Sequence, residues 1–200
     1  MDRDGGEGSA GAAATTAADL RAEIARLKEE LLRAEWQIAE LEARADIDPL
    51  LDVLNRRGFE RELKRALAYV GRYGTPAVLM FIDLDGFKVI NDRHGHAVGD
   101  KLLKVVADGL AAHVRASDVV GRLGGDEFGT LLWHINDAQA AAKARDLEKV
   151  IEAASITHGS ERLAVGASAG TVPLDPAIEP AALIELADRA MYARKRERRG

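Results

Sequence analysis

The sequence predicts an α/β or α+β sandwich built on one sheet, preceded by an N-terminal coiled-coil helix. Three patterns carry this. A heptad stripe runs through the first quarter of the chain. Beyond it, helical and strand patterns alternate, which stacks helices on a sheet. Two short apolar runs flank a glycine pair, as in a hairpin.

Residues 1–18 are rich in Gly, Ala and Thr and have little to bury, so disorder is expected there. From Leu20, the positions Ile24, Leu27, Leu31, Ala34, Ile38, Leu41 and Ala45 follow at steps of four and three, with charges on the other faces. A seam this narrow averages 3.5 residues and reads as a two-stranded parallel coiled coil over 19–47, although one amphipathic helix lying on its own domain would also use it. The remaining domain, 48–200, begins with a helix over Asn55–Val70, facing inward through Phe59, Leu63, Ala66, Leu67 and Val70. Gly71–Pro76 is a turn, and Ala77–Asp83 is a continuous apolar strand ending in an acid. One or two helical turns follow over Lys88–His94, then a helix over Asp100–Arg115. Val119–Leu123 and Phe128–Trp133 form the hairpin around Gly124 and Gly125. A helix over Asp137–Ala154, a glycine-weakened strand over Leu163–Val172 and a helix over Pro180–Arg196 complete the order.

Composition narrows the chemistry. Hydrophobic residues make up 47% of the 200, enough for a core, and the net charge of −5 argues against a general nucleic-acid binder. With no cysteine, any metal must be held by oxygen or imidazole, and carboxylate sites suit magnesium or manganese. The longest strictly apolar run, Ala77–Ile82, falls far short of the ~20 residues of a spanning helix. The N-terminus lacks the basic-then-apolar order of a secretory signal. No membrane segment is expected, and the cytoplasm is the expected compartment.

Two acidic segments hold the candidate chemistry. In Asp83-Leu84-Asp85-Gly86, strand alternation sends both aspartates to one face at the end of a buried strand. They either bind a cation or cap the next helix. In Gly124-Gly125-Asp126-Glu127-Phe128, adjacent acids sit at a hairpin tip whose glycines admit a ligand; the plainer reading is a polar turn. If the first hairpin strand neighbours the Asp83 strand, the acids converge into a hard-cation site of the kind that serves phosphoryl and nucleotidyl transfer. No Gly-x-x-x-x-Gly-Lys-Ser/Thr segment exists, so the phosphate cradle is not a P-loop.

Gly124–Phe128 spells the signature of the GGDEF family, and four further segments resemble that family in order. They are Asn55-Arg56-Arg57-Gly58-Phe59, Asp83 to Asp92, Gly95-His96-Ala97-Val98-Gly99-Asp100, and Ala187 to Tyr192 with Lys195. The resemblance covers about Asp46–Arg199. It implies a palm-like domain with a central, mostly antiparallel sheet flanked by helices. It also implies a diguanylate cyclase that condenses two GTP into cyclic di-GMP and two pyrophosphates as a homodimer.

Carried over by position, the resemblance makes Asp83 and Asp126 magnesium ligands, helped by the Leu84 carbonyl and Glu127; manganese is the alternative ion. Asp126 would be the base, with Glu127 supporting the metals or sharing that task. Asn91 and Asp100 would bond the guanine edge, and His96 would either touch substrate or stabilise a turn. Gly86 and Phe87 would offer amides to phosphates, Gly124 and Gly125 would admit the nucleotide, and Lys88, Lys195 and Arg199 would neutralise the phosphates. Arg115-Ala116-Ser117-Asp118 resembles the family's Arg-x-x-Asp inhibitory product site, to which Arg145 of a neighbouring domain could add.

Two departures stand out. Leu51-Asp52-Val53-Leu54 replaces the usual Thr-Gly-Leu-Pro, which puts signal coupling at the coiled-coil junction in doubt. Arg198 stands where glycine is common. The alternative function is a non-catalytic GTP or cyclic di-GMP receptor acting on a partner; a structural coiled-coil adaptor would leave the acids unexplained.

Overall fold

The computed structural model describes residues 17–199, with side chains for 19–33 and 46–196. The expected disorder of 1–18 and the heptad positions Ala34, Ile38, Leu41 and Ala45 lie outside those side-chain limits, as does the Arg199 side chain. The chain divides into two units, 1–42 and 43–200.

The first unit contains most of helix α1 (Ala17–Ala45). Its stripe residues Leu20, Ile24, Leu27 and Leu31 are each at least half exposed. Arg26 pairs with Glu23 and Glu30 along the polar face, with N–O distances of 2.6 and 2.7 Å.

In the second unit the order is α2 (Arg56–Tyr73), β1 (Ala77–Asp85), α3 (Phe87–His94), α4 (His96–Ala112), β2 (Val119–Arg122), β3 (Glu127–Trp133), α5 (Asp137–Ala153), β4 (Ser155–His158), β5 (Glu161–Ala164), β6 (Gly166–Pro173) and α6 (Pro180–Arg199). The main sheet runs β2-β3-β1-β6 and every pairing in it is antiparallel. β1 is central because both its faces are apolar. Its odd residues, Leu79 and Phe81, join α2 and α6 through Phe59, Leu63, Leu183 and Met191. Its even residues, Met80, Ile82 and Leu84, pack with Leu102, Val106, Leu147 and Ile151 of α4 and α5.

Local signals set the ends. Asn55 caps α2, its side chain accepting from the Gly58 amide at 3.0 Å, and Gly74 closes the helix in the left-handed region at φ 66°. A capping box of Asn136 and Gln139 starts α5. The unusual Leu51–Leu54 segment is well packed: Leu51 and Val53 are buried, and Leu54 bonds to the backbone of Val120 and Arg122 along the outer edge of β2.

Three expectations are corrected. β1 neighbours the second hairpin strand, β3, not the first, because β3, buried over Phe128–Leu132, lies inside the sheet and the partly exposed β2 at its edge. The single strand expected over Leu163–Val172 is two: β5 pairs with an unforeseen β4 in a separate hairpin turning at Gly159, and β6 restarts at Gly166. Helix α4 begins at His96, four residues early, because Gly95 (φ 84°) already ends α3.

Helix α6 lies directly on the β6 backbone. A Cβ at Gly170 would fall 2.0 Å from the Met191 nitrogen and 2.5 Å from the Ala187 carbonyl oxygen. Gly170→Ala should therefore lower the unfolding free energy by about 3 kcal/mol, the upper range for overpacking. A urea titration should show a lower midpoint at unchanged slope; an unchanged midpoint would mean that α6 yields freely.

Candidate active site

The candidate site forms where the C-terminal end of β1 meets the hairpin tip. Asp83 lies directly opposite Glu127 in the β1–β3 register, so the two side chains share a face. Beyond them the Leu84 amide donates to the Asp126 carbonyl at 3.0 Å. A strand residue presents its N–H and C=O to the same edge, so the Leu84 carbonyl also faces the tip. Asp85, two residues past Asp83, returns to the Asp83 face.

Helix α6 supplies a cation to this acidic face. The Lys195 ammonium bridges Asp83 and Asp85, its contact to Asp85 Oδ1 being 2.7 Å. The Asp85 Oδ2 atom accepts from the buried Ser168 hydroxyl on β6 at 2.9 Å. Burial alone would lower the Lys195 ammonium, but its hydrogen bonds to Asp83 and Asp85, and their charges, hold it above its ordinary value. Beside it, Asp83, Asp188, Met191, Tyr192, Lys195 and Arg196 line an open pocket of about 390 Å³.

Glu127 shows the opposite strain. Burial pushes its carboxyl above the ordinary range; the Arg56 guanidinium, 3.9 Å away, opposes this, while the charges of Asp126, Asp83 and Asp188 add to it. The carboxyl folds over Gly124, where an added Cβ would meet Glu127 Oε2 at 2.3 Å and push the carboxyl aside. Two arginines brace the turn. Arg56 donates to the Leu123 carbonyl at 2.7 Å, and Arg122 donates to the Gly124 and Gly125 carbonyls at 2.9 and 2.8 Å while facing Asp48 at 3.3 Å.

The other expected binding residues come from α3 and α4. Gly86 adopts φ 83° and no side chain caps α3, so the first-turn amides at Phe87 and Lys88 are available to an anion. The Phe87 ring is buried while Lys88 and His96 are exposed. The Asn91 side-chain oxygen is buried without a hydrogen-bond partner, which a ligand donor would satisfy. Gly99 makes room for it, since a Cβ there would come within 1.9 Å of that oxygen. Asp100 is half-buried one residue further along α4.

These donors fit a hard divalent cation: all are oxygens, and the acids already engage one positive group. Among the described residues no three acids or histidines are gathered at ligand spacing.

The Arg115–Asp118 turn lies apart from this pocket's lining. Asp118 accepts from the Arg115 amide at 2.9 Å and the Trp133 amide at 3.1 Å, leaving the Arg115 side chain exposed. Arg145 is exposed on α5, and no contact joins it to Arg115 or Asp118 among the described residues. Sequence reasoning gave no role to Arg56, Arg122, Ser168, Asp188 or Arg194. The one available signal was a polar residue inside an apolar strand, Ser168, two residues from the strand's start.

The family model for "Diguanylate cyclase, GGDEF domain" matches residues 45–200. Diguanylate cyclase TpbB of Pseudomonas aeruginosa is 38% identical over 189 residues, 91% of this chain and 42% of TpbB. Diguanylate cyclase DosC of Escherichia coli is 35% identical over 154 residues, 76% of this chain and 34% of DosC. The chain thus spans less than half the length of these curated relatives. The coiled coil and GGDEF domain of DgcB from Caulobacter crescentus, solved in complex with c-di-GMP, superposes with a TM-score of 0.74 at 27% identity, over 89% of this chain and 95% of that one. The GGDEF domain of TpbB gives a TM-score of 0.69 at 37% identity, over 76% and 89%. Among the described residues no helix is long and apolar enough to cross a membrane.

The raised Glu127 carboxyl makes stability depend on pH. Folded protein holds this proton more tightly than unfolded protein, so stability falls as pH rises from the ordinary glutamate range through the folded value. In chelator-treated protein, Glu127→Gln should raise the melting temperature by a few degrees above that window and by almost nothing below it. A difference independent of pH would contradict the assignment.

Proposed function

The chain belongs to the GGDEF domain family, and on that premise we propose that it is a diguanylate cyclase, condensing two GTP into cyclic di-GMP and two pyrophosphates as a homodimer. The observation that carries this reading is the facing pair Asp83 and Glu127 beside Asp126, with Asp83 also lining the Lys195 pocket.

Each protomer binds one GTP. Asn91 and the Asp100 carboxylate accept from guanine N1 and its exocyclic amine, donors that adenine does not present in that pattern. The open N-terminus of α3 receives phosphate oxygens through the Phe87 and Lys88 amides, with Gly86 allowing close approach. Lys88 and Lys195 neutralise the outer phosphates, with Arg199 beyond the described side chains as a third candidate. His96, exposed at the start of α4, stands at the substrate rim.

Asp83, Asp126, Glu127 and the Leu84 carbonyl would hold magnesium, or manganese in its place, which supplies charge neutralisation at the α-phosphate and the leaving pyrophosphate when bound. The ribose 3′-oxygen on one protomer attacks the α-phosphorus on the other. The new P–O bond replaces the bond to pyrophosphate, which departs with its electron pair. The 3′-hydroxyl proton passes to the Asp126–Glu127 pair. A second such step closes the ring.

One domain carries half of this arrangement, so turnover needs two domains face to face. The exposed apolar stripe of α1 supports pairing with a second copy, which raises effective concentration and restricts orientation. Product returns to Arg115, whose guanidinium grips guanine or phosphate in two places, while the Asp118 carboxylate accepts from guanine. Arg145 joins from a neighbouring domain.

Incubation with GTP and magnesium tests the reading. Cyclic di-GMP should form, and Asp126→Ala should reduce its formation by about a thousandfold. GTP binding without product would replace the cyclase with a nucleotide receptor. In progress curves, Arg115→Ala should remove the slowing by accumulated product; slowing equal to that of the unaltered chain would rule the inhibitory site out.

A further inference from the structure

Glu148 is a charged side chain with no part in the reaction above, and it is only 6% exposed. A carboxylate taken out of water is costly unless its partners compensate, so those partners reveal its task. Oε1 accepts from the Ala169 amide at 2.9 Å, and Oε2 faces Arg194 Nη2 at 3.4 Å. The other arm of that guanidinium, Nη1, donates to the Ala169 carbonyl at 2.8 Å. Glu148 of α5 and Arg194 of α6 therefore close on both backbone groups of one β6 residue. They do so at the open edge of the sheet, where β6 has β1 on one side only. Together they take the place of a missing neighbouring strand.

The two residues next to this clamp are the ones that hold the paired aspartates. Ser168 precedes Ala169, and its hydroxyl donates to Asp85 Oδ2. Lys195 follows Arg194, and its ammonium bridges Asp83 and Asp85. Gly170, on the other side of Ala169, lets the α6 backbone reach the strand. The Glu148–Arg194 pair thus meets β6 and α6 next to Ser168 and Lys195, the residues of those elements that hold the acids.

We propose that Glu148 is a positioning residue: acting through Arg194 and Ala169, it fixes the α6 turn that carries Lys195 and the β6 segment that carries Ser168 beside Asp83 and Asp85, and so holds Lys195 where it can pass from those acids to the nucleotide triphosphate. The nucleotide part rests on the cyclase reading; the clamp itself does not.

Two readouts on the full chain test this. The first is the acylation rate of Lys195 by an amine-reactive reagent, read by mass spectrometry against the exposed Lys64 and Lys101. Glu148→Ala should free Lys195 and speed its labelling about fivefold relative to those references, a local opening rather than a global one. The second is affinity for a non-hydrolysable GTP analogue with magnesium. Glu148→Ala and Lys195→Met should each weaken it about tenfold, and the double variant should lose no more than Lys195→Met alone, because both act through one group. A purely structural Glu148 would lower the melting temperature while leaving relative labelling and analogue affinity unchanged, which overturns the proposal. So does a double variant whose loss is the product of the two. If Glu148→Ala does not fold, Glu148→Gln keeps an acceptor for Ala169 but drops the charge facing Arg194. About a twofold rise in relative labelling is then expected, and no rise overturns the clamp. Should the unaltered chain fail to bind the analogue, the cyclase reading falls, and labelling alone decides the clamp.

Discussion

Negative charge gathered at the end of a buried strand has to be answered by a cation. Asp83, Asp85, Asp126, Glu127 and Asp188 all bear on one corner of the domain, and the sheet leaves them no room to disperse. The Lys195 ammonium answers part of that charge, and burial, with the neighbouring acids adding to it, makes Glu127 hold its proton more tightly. Such a corner favours whatever brings further positive charge, and a divalent ion carrying a triphosphate brings it together with a ligand for Lys195 and Lys88.

The rest of the fold serves this corner. β1 is held from both faces, so its end cannot retreat from the hairpin. Glycine is required at Gly170, where the α6 backbone presses on the strand, while Gly124 and Gly99 leave room for the Glu127 carboxyl and the Asn91 side chain. Arg56 and Arg122 tie down the carbonyls of the hairpin turn, so its acids sit on a braced loop. Arg122 also faces Asp48, whose other oxygen accepts from the Leu50 and Leu51 amides. The signature turn and the segment that follows α1 are thereby fastened to one another.

Much of this was legible in the residues. The apolar run of β1, the facing acids of Asp83 and Asp85 and the glycine-marked hairpin all follow from strand periodicity and turn chemistry, and each recurs in the structure. What escaped was long-range. Periodicity does not say which hairpin strand joins β1; burial does, with β3 buried over Phe128–Leu132 and β2 partly exposed. The β4–β5 hairpin was missed because Ser155–His158 has a mixed, short pattern that reads equally well as loop. Arg194 carries no local mark as the partner of a glutamate 46 residues earlier. The pairing of Lys195 with Asp83 and Asp85 was equally invisible, since Lys195 lies 112 positions beyond Asp83 in the sequence.

The account stands or falls on whether those acids form one ion-binding corner. A crystal of the chain grown with manganese and a non-reactive GTP analogue would locate the ion by its anomalous scattering. The account predicts a peak in contact with both the Asp83 carboxylate and the hairpin acids, with Lys195 turned from Asp83 and Asp85 toward phosphate. A peak bound to the triphosphate alone, with Lys195 still bridging the two aspartates, would contradict it.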